Sequence, residues 1–213
     1  MADFAGTSRF EVKRRLGAGG MGVVYEAFDR EQRTLVAVKA LRDLDEHSLW
    51  RFKNEFRALA DLRHRNLVRL GELHCEADQW FFSMELIEGT GFLAYVWGAR
   101  AEPLPDDSAD KTLTPREVER MRKGKRFDEQ RLRSAVAQLA EAVATLHAAG
   151  KIHRDIKPSN ILVTPEGRTV LLDFGLVTEV VGGRQATDVH AIGTATYMAP
   201  EQAAGQAVGP AAD

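Results

Sequence analysis

The chain opens in a β pattern. Residues 10–16 and then Val23, Val24, Tyr25, Ala27 and Phe28 carry the β-branched and aromatic side chains of paired strands. Gly17, Gly19, Gly20 and Gly22 between them predict a hairpin closed by a glycine loop. After a polar turn at 29–33, residues 35–41 (LVAVKAL) read as a strand of alternating side chains, which sets Ala37 and Lys39 on one face. The period then changes. Leu49, Phe52, Phe56 and Leu59 recur at helical spacing within about residues 46–61, and Glu55 falls on their stripe. Two further β-like runs, 66–70 and 81–87, lead to Gly89 and Gly91, where a first lobe is expected to end.

The second half reads differently. Residues 98–127 are rich in Arg, Lys, Asp, Glu and Pro and predict a solvated excursion. A long amphipathic helix follows at about 128–149, with Leu132, Val136, Leu139, Val143 and Leu146 as its expected buried face and Gly150 as its stop. Residues 161–163 and 170–172 flank the Pro165-Glu166-Gly167 turn as a small hairpin.

Composition narrows the function classes. At 213 residues, 44% hydrophobic and 28% charged, the chain has the balance of a globular protein. Its 29 Lys and Arg against 31 Asp and Glu give a net charge of −2, without the broad positive field of a nucleic-acid binder, so phosphate binding has to be local. No stretch approaches the roughly 20 apolar residues of a membrane span, and no signal-peptide core stands at the amino terminus, so a cytoplasmic setting is expected. Cys75, the one cysteine, is expected in the core. His47, His64, His74, His147, His153 and His190 are scattered without metal-ligand spacing.

Several motifs carry chemistry. Residues 17–22 fit GxGxxG, but β-like residues follow where a dinucleotide fold needs a helix. A glycine hairpin can instead bring its backbone amides close to phosphate. A lysine at a strand end is by default solvated. Glu55 alters that weighing, because a carboxylate on an apolar helix face calls for a cation, and Lys39 is the nearest candidate in chain order. Farther on stand His153-Arg154-Asp155-Ile156-Lys157-Pro158-Ser159-Asn160, then Asp173-Phe174-Gly175, then GTATYMAPE at 193–201.

In this order and spacing the motifs resemble the eukaryotic-type serine/threonine protein kinases, of the kind also common in bacteria, from about Phe10 to Asp213. The resemblance implies an α+β, two-lobed fold, with residues 1–87 as a β-rich N-lobe holding one long helix and 88–213 as an incomplete helical C-lobe. It implies ATP and Mg²⁺, and protein substrates bearing a Ser or Thr hydroxyl. Lys39, held by Glu55, would bind the α and β phosphates beneath Gly17, Gly19 and Gly22. Asn160 and Asp173 would hold Mg²⁺, and Asp155 would accept the hydroxyl proton. Lys157 would neutralise charge on the transferred group, with Thr194 at the substrate-facing end of the activation loop. Val24, Ala37 and Leu162 would enclose adenine, beside Met84 as gatekeeper and the backbone of Glu85 and Ile87. Leu59, His153 and Phe174 match a regulatory stack.

Arg154 predicts control by phosphorylation within the loop at 176–192, where Thr187 is favoured over Thr178. The sequence given stops where the family begins a long apolar helix and lacks the arginine that pairs with the glutamate matched by Glu201. The chain alone is therefore expected to be poorly stable or inactive. The competing readings are a nucleotide-binding but silent module, disfavoured by intact Asp155, Asn160 and Asp173, and a small-molecule phosphotransferase, disfavoured by Lys157 and the 193–201 segment.

Overall fold

The computed structural model describes residues 4–19, 22–41, 46–98, 127–173, 178–179 and 195–213, with the backbone alone at 19, 46, 47, 51, 55, 58, 178, 179 and 195. The described residues form two compact units. One holds those up to residue 63 together with 68–87, and the other holds 64–67 and those from 88 onward.

The first unit is an antiparallel sheet of strands β1 (Phe10–Gly19), β2 (Gly22–Asp29), β3 (Thr34–Leu41), β4 (Leu70–Glu76) and β5 (Gln79–Glu85), in the order β1-β2-β3-β5-β4. Alternation gives it two apolar faces. Phe10, Val23, Tyr25, Ala27, Val36, Val38, Ala40 and Phe81 make a closed core on one side, with Phe4 laid across it 4.8 Å from the Phe81 ring. The other side takes helix α1 (Glu46–Leu59), whose Phe52 and Phe56 rings lie 5.0 and 5.7 Å from Phe82. Of the predicted stripe, Phe52 and Leu59 are fully buried, and Leu49 and Phe56 partly so.

Two expectations are corrected here, and one turn is added to them. Residues 66–70 do not form a strand; β4 starts at Leu70, and Leu67 makes only a single bridge to Leu171. The β4–β5 turn went unread because Ala77 and Asp78 both hold positive φ (48° and 62°) without the glycine that usually marks such a turn. Cys75 is exposed, since β4 is the sheet edge and Cys75 lies opposite Trp80 on the outward side.

The second unit is built on helix α2 (Phe92–Val96), helix α3 (Glu129–Ala148) and short strands. Strands β6 (Thr90–Gly91), β8 (Ile161–Val163) and β9 (Thr169–Leu171) form one sheet, and β7 (Lys151–Ile152) pairs with β10 (Thr178–Glu179). Helix α3 starts at Asp128, whose carboxylate accepts from Arg131 N at 3.0 Å, and ends at Gly150, where φ is +69°. Of the predicted face, Leu146 is fully buried, Leu132, Leu139 and Val143 are partly so, and Val136 is exposed. Ala135 and Ala142 are buried as well, because small alanines let α3 lie close to β7 and β9. Gln138, unremarked in the sequence, accepts from Asn66 Nδ2 (2.8 Å) and Thr169 N (3.0 Å) and donates to Gly167 O (2.8 Å). Asn66 also donates to Thr169 O at 2.7 Å, which explains a buried amide in an otherwise apolar run. Among the described residues no helix is long and apolar enough to cross a membrane.

One ion cluster fixes the start of the first sheet. Arg9 donates through Nε and Nη2 to the buried carboxylate of Asp29 (3.1 and 2.9 Å) and through Nη1 to Glu72 (2.8 Å), with Glu31 at 3.1 Å. Asp29 also accepts from Glu31 N and Gln32 N, closing the β2–β3 turn. The Arg9 hydrogen bonds hold the Asp29 carboxyl below its ordinary range. The folded state therefore prefers ionised Asp29, and this contribution is present above the ordinary carboxylate range and fades as pH falls through and below it. Replacing Arg9 by Ala leaves that carboxylate buried without its cation and is expected to cost about 3 kcal/mol at pH 7 in urea unfolding, with a smaller difference in acid.

Candidate active site

In the second unit, β7 delivers the chain into residues 153–160, which return through a 3₁₀ turn (Pro158–Asn160) into β8. The turn begins with proline because Pro158 lacks the N–H that such a start leaves unsatisfied and presets φ. Asn160 N donates to Lys157 O at 2.9 Å, and Asn160 O accepts from Leu172 N at 2.8 Å, tying the loop to the strand end just before Asp173.

Asp155 is held on one side. Its Oδ2 faces Lys157 Nζ at 3.1 Å and accepts from Asn160 Nδ2 at 2.9 Å, and the same Nδ2 donates to Asp155 O at 2.9 Å. Lys157 and Asn160 are themselves buried. With both amide hydrogens spent on Asp155, the side-chain oxygen of Asn160 is left as an acceptor. The other oxygen of Asp155 has no partner among the hydrogen bonds of the described residues.

The backbone that carries Asp155 is clamped from below by a residue to which the sequence reading gave no role. Asp213, whose side chain is fully buried, accepts from His153 N (2.7 Å) and Arg154 N (2.7 Å) and from His147 Nε2 (2.9 Å) at the end of α3. His153 is fully buried, and burial holds its imidazole pKa below the ordinary value, so the ring stays neutral. Its Nδ1 accepts from Asp155 N at 3.2 Å, which leaves Nε2–H to donate to Leu172 O at 3.3 Å. Arg154 (φ 68°) and Asp173 (φ 52°) both hold left-handed backbone, which costs a residue with a Cβ on the order of 1–2 kcal/mol. The hydrogen bonds of Asp213 offset that cost at Arg154. The half-buried Arg154 guanidinium leaves Nε and Nη2 without hydrogen-bond partners among the described residues.

In the first unit, Val24, Lys39 and Phe82 stand opposite one another across β2, β3 and β5, as do Glu26, Ala37 and Met84. All six therefore share the face that takes α1. Lys39 is buried there and lies inside β3, two residues short of its end, where the sequence placed it at a strand end. Gly17 and Gly19 close β1, and Gly19 is paired with Gly22. A Cβ on Gly22 would lie 2.3 Å from Ala40 O, so this glycine is required by close approach to β3, a reason distinct from anion access. Glu85 ends β5, its N–H donating to Arg69 O at 2.8 Å, and Ile87 is half-buried. Leu162 lies in β8 between Gly91 and Val170. The Glu55 side chain, Phe174, Gly175, Thr194, most of the activation loop with Thr187, and the 99–126 segment lie outside the described residues, as does the Thr178 side chain.

The oxygen donors suit a hard cation. Among the described residues no three His, Cys, Asp or Glu side chains group as a metal site. Asn160 Oδ1 and the Asp173 carboxylate are hard ligands too few to enclose a cation, and Mg²⁺ is held in that way, by one or two protein oxygens completed by phosphate.

Asp155 is thus an aspartate gripped at one oxygen by a lysine and an amide, with the other oxygen open to a proton. The chain belongs to the protein kinase domain family, which its sequence matches over residues 10–213. It is 33% identical over 201 residues to the probable serine/threonine-protein kinase CPE1738 of Clostridium perfringens, covering 93% of this chain and 26% of that protein. Over 218 residues it is 33% identical to the serine/threonine-protein kinase PknA of Mycobacterium tuberculosis (97% and 44%), and over 198 residues to PknL of the same species (92% and 43%). The chain thus spans less than half the length of these relatives.

The residues that sequence reading missed lie in the support of the loop. Asp213 and His147 give no local signal, since an aspartate after two alanines and a histidine near a helix end are common on surfaces. Asp213→Ala orphans two buried N–H groups and is expected to lower the unfolding free energy by about 2–4 kcal/mol in urea melts, with Asp213→Asn costing less because it keeps one acceptor.

Proposed function

We propose that this protein transfers the γ-phosphoryl group of ATP to serine or threonine hydroxyls of protein substrates, with residues 1–87 as the nucleotide-holding lobe and 88–213 as part of the catalytic lobe. The observation that carries the reading is Asp155, fixed through Oδ2 by Lys157 (3.1 Å) and Asn160 (2.9 Å) with its second oxygen left to accept a proton.

In this mechanism the free oxygen of Asp155 takes the hydroxyl proton as the substrate oxygen bonds to the γ-phosphorus and the bond to the β-phosphate oxygen breaks. Lys157 offsets negative charge on the transferred group while keeping Asp155 oriented. Asn160 Oδ1 and Asp173 would hold Mg²⁺, which supplies charge neutralisation on the phosphates when bound. Lys39 would bind the α and β phosphates with Glu55 as its counter-ion, beneath the hairpin of Gly17, Gly19 and Gly22. Val24, Ala37, Met84, Glu85, Ile87 and Leu162 would take the adenine, and Thr194 would face the acceptor. Use of Ser and Thr is supported by Lys157 and by the relatives, which are named serine/threonine-protein kinases. The single cysteine and the demand for ATP favour a cytoplasmic setting.

Regulation follows from Arg154. A guanidinium with two buried N–H groups unmatched among the described residues suits a phosphate delivered by the 176–192 segment, with Thr187 as acceptor.

Asp155→Ala is expected to lower peptide phosphorylation at least a thousandfold while ATP affinity, read by titration calorimetry, stays within about threefold of wild type. Phosphate appearing on a small alcohol and never on peptide would overturn the assignment. Removing loop phosphate with a phosphatase is expected to slow the wild-type protein at least tenfold, and to leave Arg154→Ala, already slow, within twofold of its own untreated rate.

A further inference from the structure

Arg154 is held at more points than Asp213 supplies. Its backbone sits at φ 68°, a conformation that a residue with a Cβ keeps only when its surroundings fix it. On its amino side, His153 N and Arg154 N both donate to Asp213. On its carboxyl side lies the peptide plane shared by Arg154 O and Asp155 N, and that plane is pinned at both edges. The N–H donates to His153 Nδ1 at 3.2 Å, and the carbonyl accepts from Gln202 Nε2 at 2.9 Å. Gln202 lies in helix α4 (Pro200–Ala203), directly after the segment matched to the substrate-facing end of the activation loop.

We propose that Gln202 is a positioning residue for phosphoryl transfer: its side-chain amide, donated to the Arg154 carbonyl, fixes the peptide plane from which the Asp155 carboxylate projects. This rests on the kinase reading above. A peptide unit is rigid and turns only about its two flanking single bonds, so a hold on its oxygen is also a hold on the direction in which the next residue leaves. Asp213 and His153 fix the path into this plane and its N–H edge, and Gln202 supplies the hold on the carbonyl edge. Without it the plane can rotate about its remaining contacts, carrying Asp155 away from Lys157 and Asn160. Displacement of a reacting group by about 1 Å costs up to a hundredfold in rate. Because α4 follows the substrate-facing segment, the same bond links the placement of that segment to the aim of Asp155. The glutamine is chemically specific here. A carbonyl needs a donor, a leucine offers none, and a glutamate offers one only when protonated.

The test uses the full protein with Gln202→Leu and Gln202→Glu. At pH 7.5, kcat for peptide phosphorylation is expected to fall ten- to a hundredfold in both, with the KM for ATP within twofold of wild type, since no nucleotide-binding group is touched. As pH is lowered toward 5.5, the rate of Q202E relative to wild type should climb as its carboxyl gains a proton, and that of Q202L should stay flat. A residue that merely packs would give the two variants the same pH profile. Amide exchange at residues 153–155 should be faster in both variants, and Q202E carries the comparison if Q202L fails to fold. A kcat within twofold of wild type, matching pH profiles, or unchanged exchange at 153–155 overturns the proposal. If the wild-type protein moves no phosphate, the kinase reading fails, and amide exchange alone decides whether Gln202 clamps the loop.

Discussion

A buried carboxylate that collects donors from three places holds the second unit together around its chemistry. Asp213 takes two consecutive backbone N–H groups of the 153–155 loop and an imidazole at the end of α3, so one side chain joins helix and loop. Its worth lies in what it makes tolerable. Left-handed backbone at Arg154 would relax if its N–H had no fixed acceptor, and Asp155 would lose its bearing on Lys157 and Asn160. The neutral, buried His153 completes the arrangement by giving the Asp155 amide an acceptor, a role that protonation would abolish. Backbone strain, ring tautomer and carboxylate direction are one problem solved together.

The first unit obeys a simpler constraint, the alternation of a sheet with two covered faces. Because neighbouring side chains point oppositely, a core built from Val23, Tyr25, Val36, Val38 and Phe81 puts Val24, Ala37, Lys39 and Met84 together on the other face without any further instruction. A lysine can be buried there because it shares that face with α1 and is not left on a bare edge. Gly22 permits the close approach of β2 to β3 at the place where Lys39 and Ala40 pair with Val24 and Val23. Packing and site geometry are set by the same register.

Reading outcomes differ by how local the cause is. The glycine hairpin, the strand of Ala37 and Lys39, the stripe of α1, the start of α3 near 128 and its stop at Gly150 came out as expected, since each follows from neighbours within a few residues. The face of α3 did so in part: Leu146 is buried as the spacing favoured, Val136 is exposed, and the small side chains of Ala135 and Ala142 let that side approach β7 and β9. Cys75 is exposed because β4 ended at the edge of the sheet, and strand order is invisible in the strand itself. Asn66, read only as the start of a β-like run, is a bracket between Gln138 and Thr169, residues about seventy and a hundred positions away.

The sequence by itself determined the family, because motif order is written locally: HRD with Lys157 and Asn160, the aspartate at 173, the lysine in its strand. Only the tertiary structure decided how those groups are aimed. It selected Asp213, His147 and Gln202 as the supports of the catalytic loop, each remote in sequence or featureless in composition. The physical reason is that hydrogen bonds act over about 3 Å in space without regard to separation along the chain. A residue's identity therefore declares what it can donate or accept, and the fold chooses to whom.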